Sequence, residues 1–261
     1  VSAWAEVWMN NPNVARFYVI GNTPYFYKDV IKDKDVEIYS ADPYRTTNHI
    51  TKKTHLIKTW CDMAGVEHNN EGPELYFNFR ELEEGTAYIN QYKTDQRPTL
   101  LFQPFGGPGP DHQQHPYSWT RDMHPKQAQE VVNLLAQKYN IIHVCYEFHP
   151  TLQNCNRFDR TVGKKALFAM TAAVDKRLFI DSSLQHAAAA LGKTSTVLWV
   201  ATQPKIFGYK LHNNLGPKKE YLDGHIDSYL FDYNFTGTIY ECPYKSTDEL
   251  HDINAIVQSI G

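Results

Sequence analysis

Apolar and polar positions follow two rhythms along this chain, and the rhythms take turns. Short apolar or alternating runs at residues 17–20, 35–39, 75–79, 99–103, 141–146, 177–180, 196–200 and 237–241 read as strands. Between them, apolar residues recur at helical spacing. Leu56, Ile57, Trp60, Cys61 and Ala64 share one helical face, and Gly65 follows as a C-terminal cap. Pro125 opens a helix with Ala128, Val131, Val132, Leu135 and Tyr139 on one side. Residues 159–173 (Val162, Ala166, Leu167, Met170) and 183–191, ended by Gly192, read as two more. Ser246-Thr247-Asp248-Glu249 has capping-box spacing, and Leu250, Ile253, Val257 and Ile260 mark a final helix behind it. Strand–helix alternation at this spacing predicts parallel sheets covered by helices on both faces. Two such units in 261 residues predict a two-domain α/β protein with a cleft between the domains. The polar stretch 83–98, with Gly85, Asp95 and Pro98, is the expected boundary.

Composition acts mostly by exclusion. Apolar residues are 42% and charged residues 21%, as in ordinary folded domains. The net charge of −3 argues against binding nucleic acid mainly by electrostatics, though it leaves a local basic groove open. No run approaches the roughly 18 apolar residues of a membrane span. Cys61, Cys145, Cys155 and Cys242 form no C-x-x-C pair, so neither a zinc knuckle nor a redox motif is read, and Cys61 and Cys145 are expected in the core. Asn234-Phe235-Thr236 would be glycosylated only in a secretory context, which nothing else supports. The 17 Tyr suit surfaces that stack on flat polar ligands; half-buried core Tyr is the alternative. The chain opens without Met on Val1-Ser2-Ala3-Trp4, as though within an element, so a further N-terminal segment is expected to precede it.

In doubly wound sheets ligands sit beyond the carboxyl ends of the strands. Three loops are expected there. Gly106-Gly107-Pro108-Gly109 would let a ligand approach the backbone, or is a plain tight loop; its spacing is neither a P-loop nor a dinucleotide fingerprint. Asp181-Ser182-Ser183 runs from a strand directly onto a helix N-terminus, where amides and the helix dipole favour an anion by roughly 0.3–1 kcal/mol. The alternative there is that Asp181 or Ser182 caps the helix and His186 is a surface residue. The third loop is Ala201-Thr202-Gln203-Pro204-Lys205-Ile206-Phe207-Gly208-Tyr209, after the strand at 196–200.

These residues carry a resemblance. Asp181-Ser182-Ser183-x-x-His186-x-Ala188-Ala189-Ala190-Leu191-Gly192-Lys193, a strand, then Ala201-Thr202-Gln203-Pro204, resembles the C-terminal signature of the ADP-heptose:lipopolysaccharide heptosyltransferases, glycosyltransferase family nine. Asn10-Asn11-Pro12-Asn13-Val14 resembles that family's Asn-Pro-x-Ile segment. His55-Leu56-Ile57 through Ala64-Gly65-Val66 resembles the helix before its interdomain link. Phe102-Gln103-Pro104-Phe105-Gly106 stands where it has a strand and small-residue loop. Ser118-Trp119-Thr120-Arg121-Asp122-Met123-His124-Pro125 resembles its Lys-x-Trp-Pro helix start. The sequence departs from the pattern in three ways: Ser183 replaces a Gly, Arg121 after Trp119 stands in for a Lys, and the opening Gly-Asp segment with the proposed catalytic Asp is absent.

The resemblance implies a GT-B fold, two Rossmann-like parallel-sheet domains facing a cleft, with the N-terminal one truncated. Residues 1–97 would be the acceptor side, 98–245 the nucleotide-sugar-binding domain, and 246–261 a helix returning toward the first domain. The implied reaction is inverting transfer of a sugar from a nucleoside-diphosphate sugar to the hydroxyl of a glycan, a lipid-linked or another acceptor, in surface-glycan or lipopolysaccharide-type synthesis. No cofactor and no obligatory metal are expected, because donors at a helix N-terminus and Arg121 can meet the leaving diphosphate. The expected nucleotide-sugar residues are Gly106, Gly107, Arg121, Glu147, Asp181, Ser182, Ser183, His186 and Thr202. The base would lie upstream of Val1, with Asp42 as the fallback. A cytoplasmic protein, peripheral at the inner membrane face, would suit this reading.

Several residues keep two readings. Glu147, ending a strand, takes ribose hydroxyls or forms a salt bridge. Asp42-Pro43-Tyr44-Arg45-Thr46-Thr47 is acceptor-side or a simple turn. Tyr25-Phe26-Tyr27 stacks a sugar or closes the domain. His112 and His115 read as solvated surface rather than metal ligands, and His143 as a core histidine. Two rival functions stand beside the lead: a GT-B transferase that glycosylates nucleic-acid bases, as in some viral systems, and an inactive nucleotide-sugar-binding domain.

Overall fold

The computed structural model describes residues 5–19, 21–37, 42–51, 54–107, 117–159, 162–221, 244 and 246–261. Among them, six strands form one sheet: β1 Thr99–Gln103, β2 Asn140–Cys145, β3 Asn156–Asp159, β4 Lys176–Ile180, β5 Thr196–Leu198 and β6 Asn213–Leu215. Their order is β3-β2-β1-β4-β5-β6 and every pairing is parallel. The helices are α1 Ala5–Trp8, α2 Thr47–Ile50, α3 Leu56–Met63, α4 Phe79–Gln91, α5 Pro125–Leu135, α6 Lys164–Ala173, α7 Ser183–Ala190, α8 Pro204–Phe207 and α9 Ile253–Ile260.

β1 and β2 are buried along their whole length, which is why both read as unbroken apolar runs. Successive residues of β1 face opposite sides. Leu100 and Phe102 join Val131, Val132 and Leu135 of α5 and Ile256 and Ile260 of α9. Leu101 joins Ile89 of α4, Leu167 and Met170 of α6, and Leu184 and Ala188 of α7. The chain begins the sheet at its centre, builds out to β3, and returns past β1 to β4. The strand order reverses between β1 and β4, so a crevice opens at their carboxyl ends.

All six strands fall between Thr99 and Leu215, and the described N-terminal residues contribute helices and turns. Among the described residues, the three strands expected there do not form. Residues 17–19 hold no more than an isolated bridge at Val19, and residues 35–37 are irregular; Ile20 and residues 38–39 lie outside the described residues. Residues 75–78 are irregular too, and Phe79 starts α4. Here Leu75 and Phe77 are single apolar anchors packed on the core, not an alternating strand. The start of α4 was written in Asn78-Phe79-Arg80-Glu81, a capping box in which Glu81 N donates to Asn78 Oδ1 at 3.0 Å and Asn78 N to Glu81 Oε2 at 2.8 Å. The polar stretch at residues 83–91 is thus helix, and its Ile89 is buried against the sheet.

Other expectations need smaller corrections. The helix expected at 159–173 begins at Lys164, and Asn156–Asp159 is the edge strand β3. β6, Asn-Asn-Leu, is the other edge; both are short and polar, as unpaired edges tend to be, and so carried no apolar signal. The final helix is capped by Asp252, whose Oδ1 accepts from Ala255 N at 3.1 Å, whereas Ser246 and Asp248 bond each other in a local turn and Asp248 pairs with Lys126 at 3.4 Å. α9, expected to return toward the N-terminal residues, lies on the sheet beside α5, and Tyr139 Oη donates to the Gly261 carbonyl at 2.9 Å. Cys145 is buried and Cys61 half-buried. The strand expected at 237–241 lies outside the described residues.

Candidate functional site

The crevice at the carboxyl ends of β1, β4 and β5 is closed into one site by hydrogen bonds between loops that are far apart in sequence. β1 and β4 run side by side, with Gln103 level with Phe179. Just beyond, Ser182 Oγ donates to Gln103 Oε1 at 2.5 Å and accepts from Leu184 N at 3.4 Å as the N-cap of α7. So Ser182 caps its helix and ties it to β1, leaving Ser183 exposed at the first helical position.

The turn at residues 118–123 bridges the outer loops. Gly106 N donates to Asp122 Oδ1 and Ser118 N to Asp122 Oδ2, both at 2.8 Å. Met123 N donates to the Pro104 carbonyl at 2.9 Å, and Ala201 N, after β5, to the Thr120 carbonyl at 3.0 Å. Arg121 sits in the middle of this bridge. Its Nη2 lies 3.9 Å from where a Cβ on Gly106 would stand, and Asp122 Oδ1 lies 3.2 Å from the same point, so a side chain there would press on the carboxylate that the two amides hold. Gly106 and Arg121 thus lie at the end of β4, with Ile180 Cδ1 4.0 Å from the would-be Cβ of Gly106, and Asp181, Ser182 and Ser183 follow directly on that strand.

Gly107 is exposed, 3.8 Å (from its would-be Cβ) to the Tyr146 ring; Glu147 follows Tyr146 in an exposed turn after β2. Thr202 is buried just past β5, and its Oγ1 has no hydrogen-bond partner among the described residues. Asp181 is buried, and Gln185 Nε2 reaches its Oδ1 at 3.4 Å. His186 is half-buried, with Nδ1 at 2.8 Å from Tyr209 Oη. Burial holds its pKa below the ordinary histidine value against the pull of Asp181, with His55 pushing the same way as burial. Asp122 moves the other way: burial pushes its carboxyl up to about 6, although the amides of Ser118 and Gly106 and the Arg121 charge favour the anion.

Asp42 lies further out, in a turn. It accepts from Tyr44 N at 3.1 Å and pairs with Arg45 at 3.2 Å, starting a short 3-10 turn. Its segment nevertheless reaches the site's flank: His49 packs edge-on to Phe207, Leu56 packs against the cluster of Val197, Trp199, Ile206 and Phe207, and His55 Nε2 lies 2.9 Å from the Gly208 carbonyl. Tyr25 and Tyr27 are exposed, and Phe26 packs on Tyr18 at 5.2 Å. His143 is a core residue between Phe102 and Phe105. His112 and His115 lie outside the described residues.

Four residues of the site were not singled out from sequence: Gln103, Asp122, His55 and Tyr209. Asp122 stands in a mostly polar approach to the Pro125 helix, Ser118-Trp119-Thr120-Arg121-Asp122-Met123-His124, so nothing local marked it as buried. Tyr209 ends the third loop expected at the strand ends, but nothing local marked it as the partner of His186, 23 residues away. Among the described residues no group of three His, Cys, Asp or Glu is placed to hold a metal ion, and no helix is long and apolar enough to cross a membrane.

Neither a protein-family model nor a curated protein matches the sequence. Solved structures do match. A glycosyl transferase family 9 protein from Veillonella parvula aligns over 85% of this chain and 61% of its own, with TM-score 0.55 and 10% identity. ADP-heptose lipopolysaccharide heptosyltransferase II from E. coli aligns over 76% and 56%, with TM-score 0.48 and 13% identity. The iron-containing dodecameric glycosyltransferase TibC of enterotoxigenic E. coli aligns over 85% and 55%, with TM-score 0.47 and 11% identity. The first of these likenesses places the chain in the α/β, GT-B type of fold. The chain spans about three fifths of that structure's length.

Proposed function

We propose that this chain, sharing the fold of a family 9 glycosyltransferase, is a glycosyltransferase whose described sheet binds the nucleoside-diphosphate sugar. The observation that carries the reading is the joined crevice: a helix N-terminus with exposed Ser183, a glycine loop and Arg121, locked together by the Ser182–Gln103, Gly106–Asp122 and Ala201–Thr120 bonds. A diphosphate placed there meets the positive end of α7 and a guanidinium. Those groups are preorganised for the charge that grows on a leaving diphosphate, commonly the largest catalytic contribution in such transfers. Sugar transfer would then be inverting and would need no metal: an acceptor hydroxyl, deprotonated by a base, attacks the anomeric carbon as the nucleoside diphosphate departs. The base belongs to the acceptor side, where Asp42 is the described candidate. Synthesis of a surface glycan of the lipopolysaccharide type, at the cytoplasmic face, is the setting we assign.

Calorimetry of the chain with ADP, UDP, GDP and CDP tests the site. Ser183→Asp puts a carboxylate where the diphosphate lies and leaves the Ser182 cap intact. Affinity should drop tenfold or more, about 1.4 kcal/mol, with the melting temperature held. Unchanged affinity would overturn the assignment. Release of the nucleoside diphosphate from a nucleotide sugar, followed with hydroxyl acceptors and with DNA, separates transfer to glycans from transfer to nucleic-acid bases, and both from an inactive binding domain.

A further inference from the structure

We propose that Tyr209 is a positioning residue that holds His186 in the tautomer protonated on Nε2, so that the ring offers a neutral N–H donor to an oxyanion bound at the start of α7. The donor role rests on the diphosphate reading above; the tautomer does not. Tyr209 Oη lies 2.8 Å from His186 Nδ1, and the two rings stand edge to face at 88°. A neutral imidazole has one N–H and one bare nitrogen, and the partner of one nitrogen decides which is which. Burial pushes the Tyr209 hydroxyl up to about 12, so it keeps its proton and has one to give. No other hydrogen-bond acceptor for that proton is found among the described residues. Donation to Nδ1 places the histidine proton on Nε2.

The rest of the surroundings keep that arrangement. Gln185 Nε2 sits 3.3 Å from Nδ1 and 3.1 Å from Nε2, a pair of distances that one amide nitrogen satisfies only from above the ring. Its two protons have the Phe207 carbonyl at 3.0 Å and Asp181 Oδ1 at 3.4 Å as acceptors, so it does not compete in the ring plane. Tyr209 is itself fixed: its carbonyl accepts from Asn214 Nδ2 at 3.0 Å and from His212 N at 3.2 Å, and Trp199 Nε1 holds Asn214 Oδ1 at 2.8 Å. His55, from the start of α3, and His212 each pack edge-on to the Tyr209 ring at 5.8 Å. Asp181 is the one acid facing His186 among its charged neighbours, and burial outweighs it, which keeps the ring neutral.

The test is two-part. In protein labelled with nitrogen-15 histidine, long-range proton–nitrogen spectra report which ring nitrogen carries the proton, and His186→Gln assigns the signal. We expect His186 protonated on Nε2 in the wild type and a mixture of tautomers in Tyr209→Phe, which keeps the ring and removes only the hydroxyl. A wild-type proton on Nδ1, or an unchanged tautomer in Tyr209→Phe, overturns the proposal. In calorimetry with ADP and UDP, Tyr209→Phe should weaken binding by threefold or more. His186→Gln, whose amide donates without a tautomer, should bind equally well with Tyr or Phe at position 209. Equal binding by wild type and Tyr209→Phe overturns the donor role. If the wild type binds neither nucleotide, the diphosphate reading fails and the spectra still decide the tautomer.

Discussion

Gly85 of α4 lies on the backbone of Ala169 of α6: a Cβ at Gly85 would stand 2.4 Å from the Ala169 carbonyl carbon and 2.7 Å from its Cβ. In an exposed helix, Gly→Ala stabilises by about 1 kcal/mol through helix propensity. Here the obstacle is backbone, which cannot swing aside, and overpacking of that kind costs about 1–3 kcal/mol or more. Gly85→Ala should therefore lower the melting temperature. A rise would mean that α4 and α6 do not pack this closely.

The Asp122–Gly106 bond makes a pH prediction. The Asp122 carboxyl is raised from 3.8 to about 6, mainly by burial. The associated stability is fully present below pH 3.8 and is lost as pH rises through about 6; the span amounts to roughly 3 kcal/mol as an order of magnitude. Asp122→Asn does not titrate, and its amide nitrogen must face one of the two backbone donors, so it should be less stable throughout. The gap between wild type and variant should narrow from pH 4 to pH 7. Thermal melts across that range check it, and parallel curves would contradict it.

His143 works in the opposite direction. Burial lowers its pKa from 6.5 to about 3, and Nε2 has no hydrogen-bond partner among the described residues. Its neutral form supports the fold above pH 6.5, and that support is lost as pH falls toward about 3. His143→Leu removes both the titration and the unsatisfied nitrogen, which by itself is worth about 1–3 kcal/mol. The variant should match or exceed the wild type at pH 7 and lose less stability on acidification. His251, lowered to about 4 by burial, should leave a residual acid sensitivity.

Gly208 and Gly192 should respond differently to alanine. At Gly208 a Cβ would meet Pro204 Cα and Trp199 Cζ2, both at 2.8 Å, so the loop carrying Tyr209 must move. Gly208→Ala should lower both the melting temperature and nucleoside-diphosphate affinity. Gly192 has a φ of +64° and open space around it, so its alanine variant pays conformational strain alone, about 1–2 kcal/mol, with affinity unchanged. Equal effects on affinity would break the link between Tyr209 and the site.

Binding and transfer should survive EDTA, since the groups proposed to meet the diphosphate are a helix N-terminus and Arg121. Loss of activity with chelator, restored by Mn2+ or Mg2+, would replace this mechanism with a metal-dependent one. The measurement is turnover with and without each ion.

What could be read from residue order was whatever a residue determines with its close neighbours. β1, β2 and β4 were legible because strands buried on both faces are apolar throughout, and α3, α5 and α7 because one face repeats every 3.6 residues. The Asp181–Ser183 turn was legible because a strand leads straight into a helix N-terminus. Short apolar runs such as residues 75–78 misled, since an apolar pair cannot say whether it pairs with a strand or anchors a loop. The edge strands β3 and β6 were silent because half their surroundings are solvent. Only the tertiary structure decided that β1 lies between β2 and β4, and hence that Gln103 meets Ser182, Gly106 meets Asp122, and Tyr209 meets His186. A hydrogen bond reaches about 3 Å, whereas Gln103 and Ser182 stand 79 residues apart, so nothing local in the chain can register the pairing before the sheet has formed.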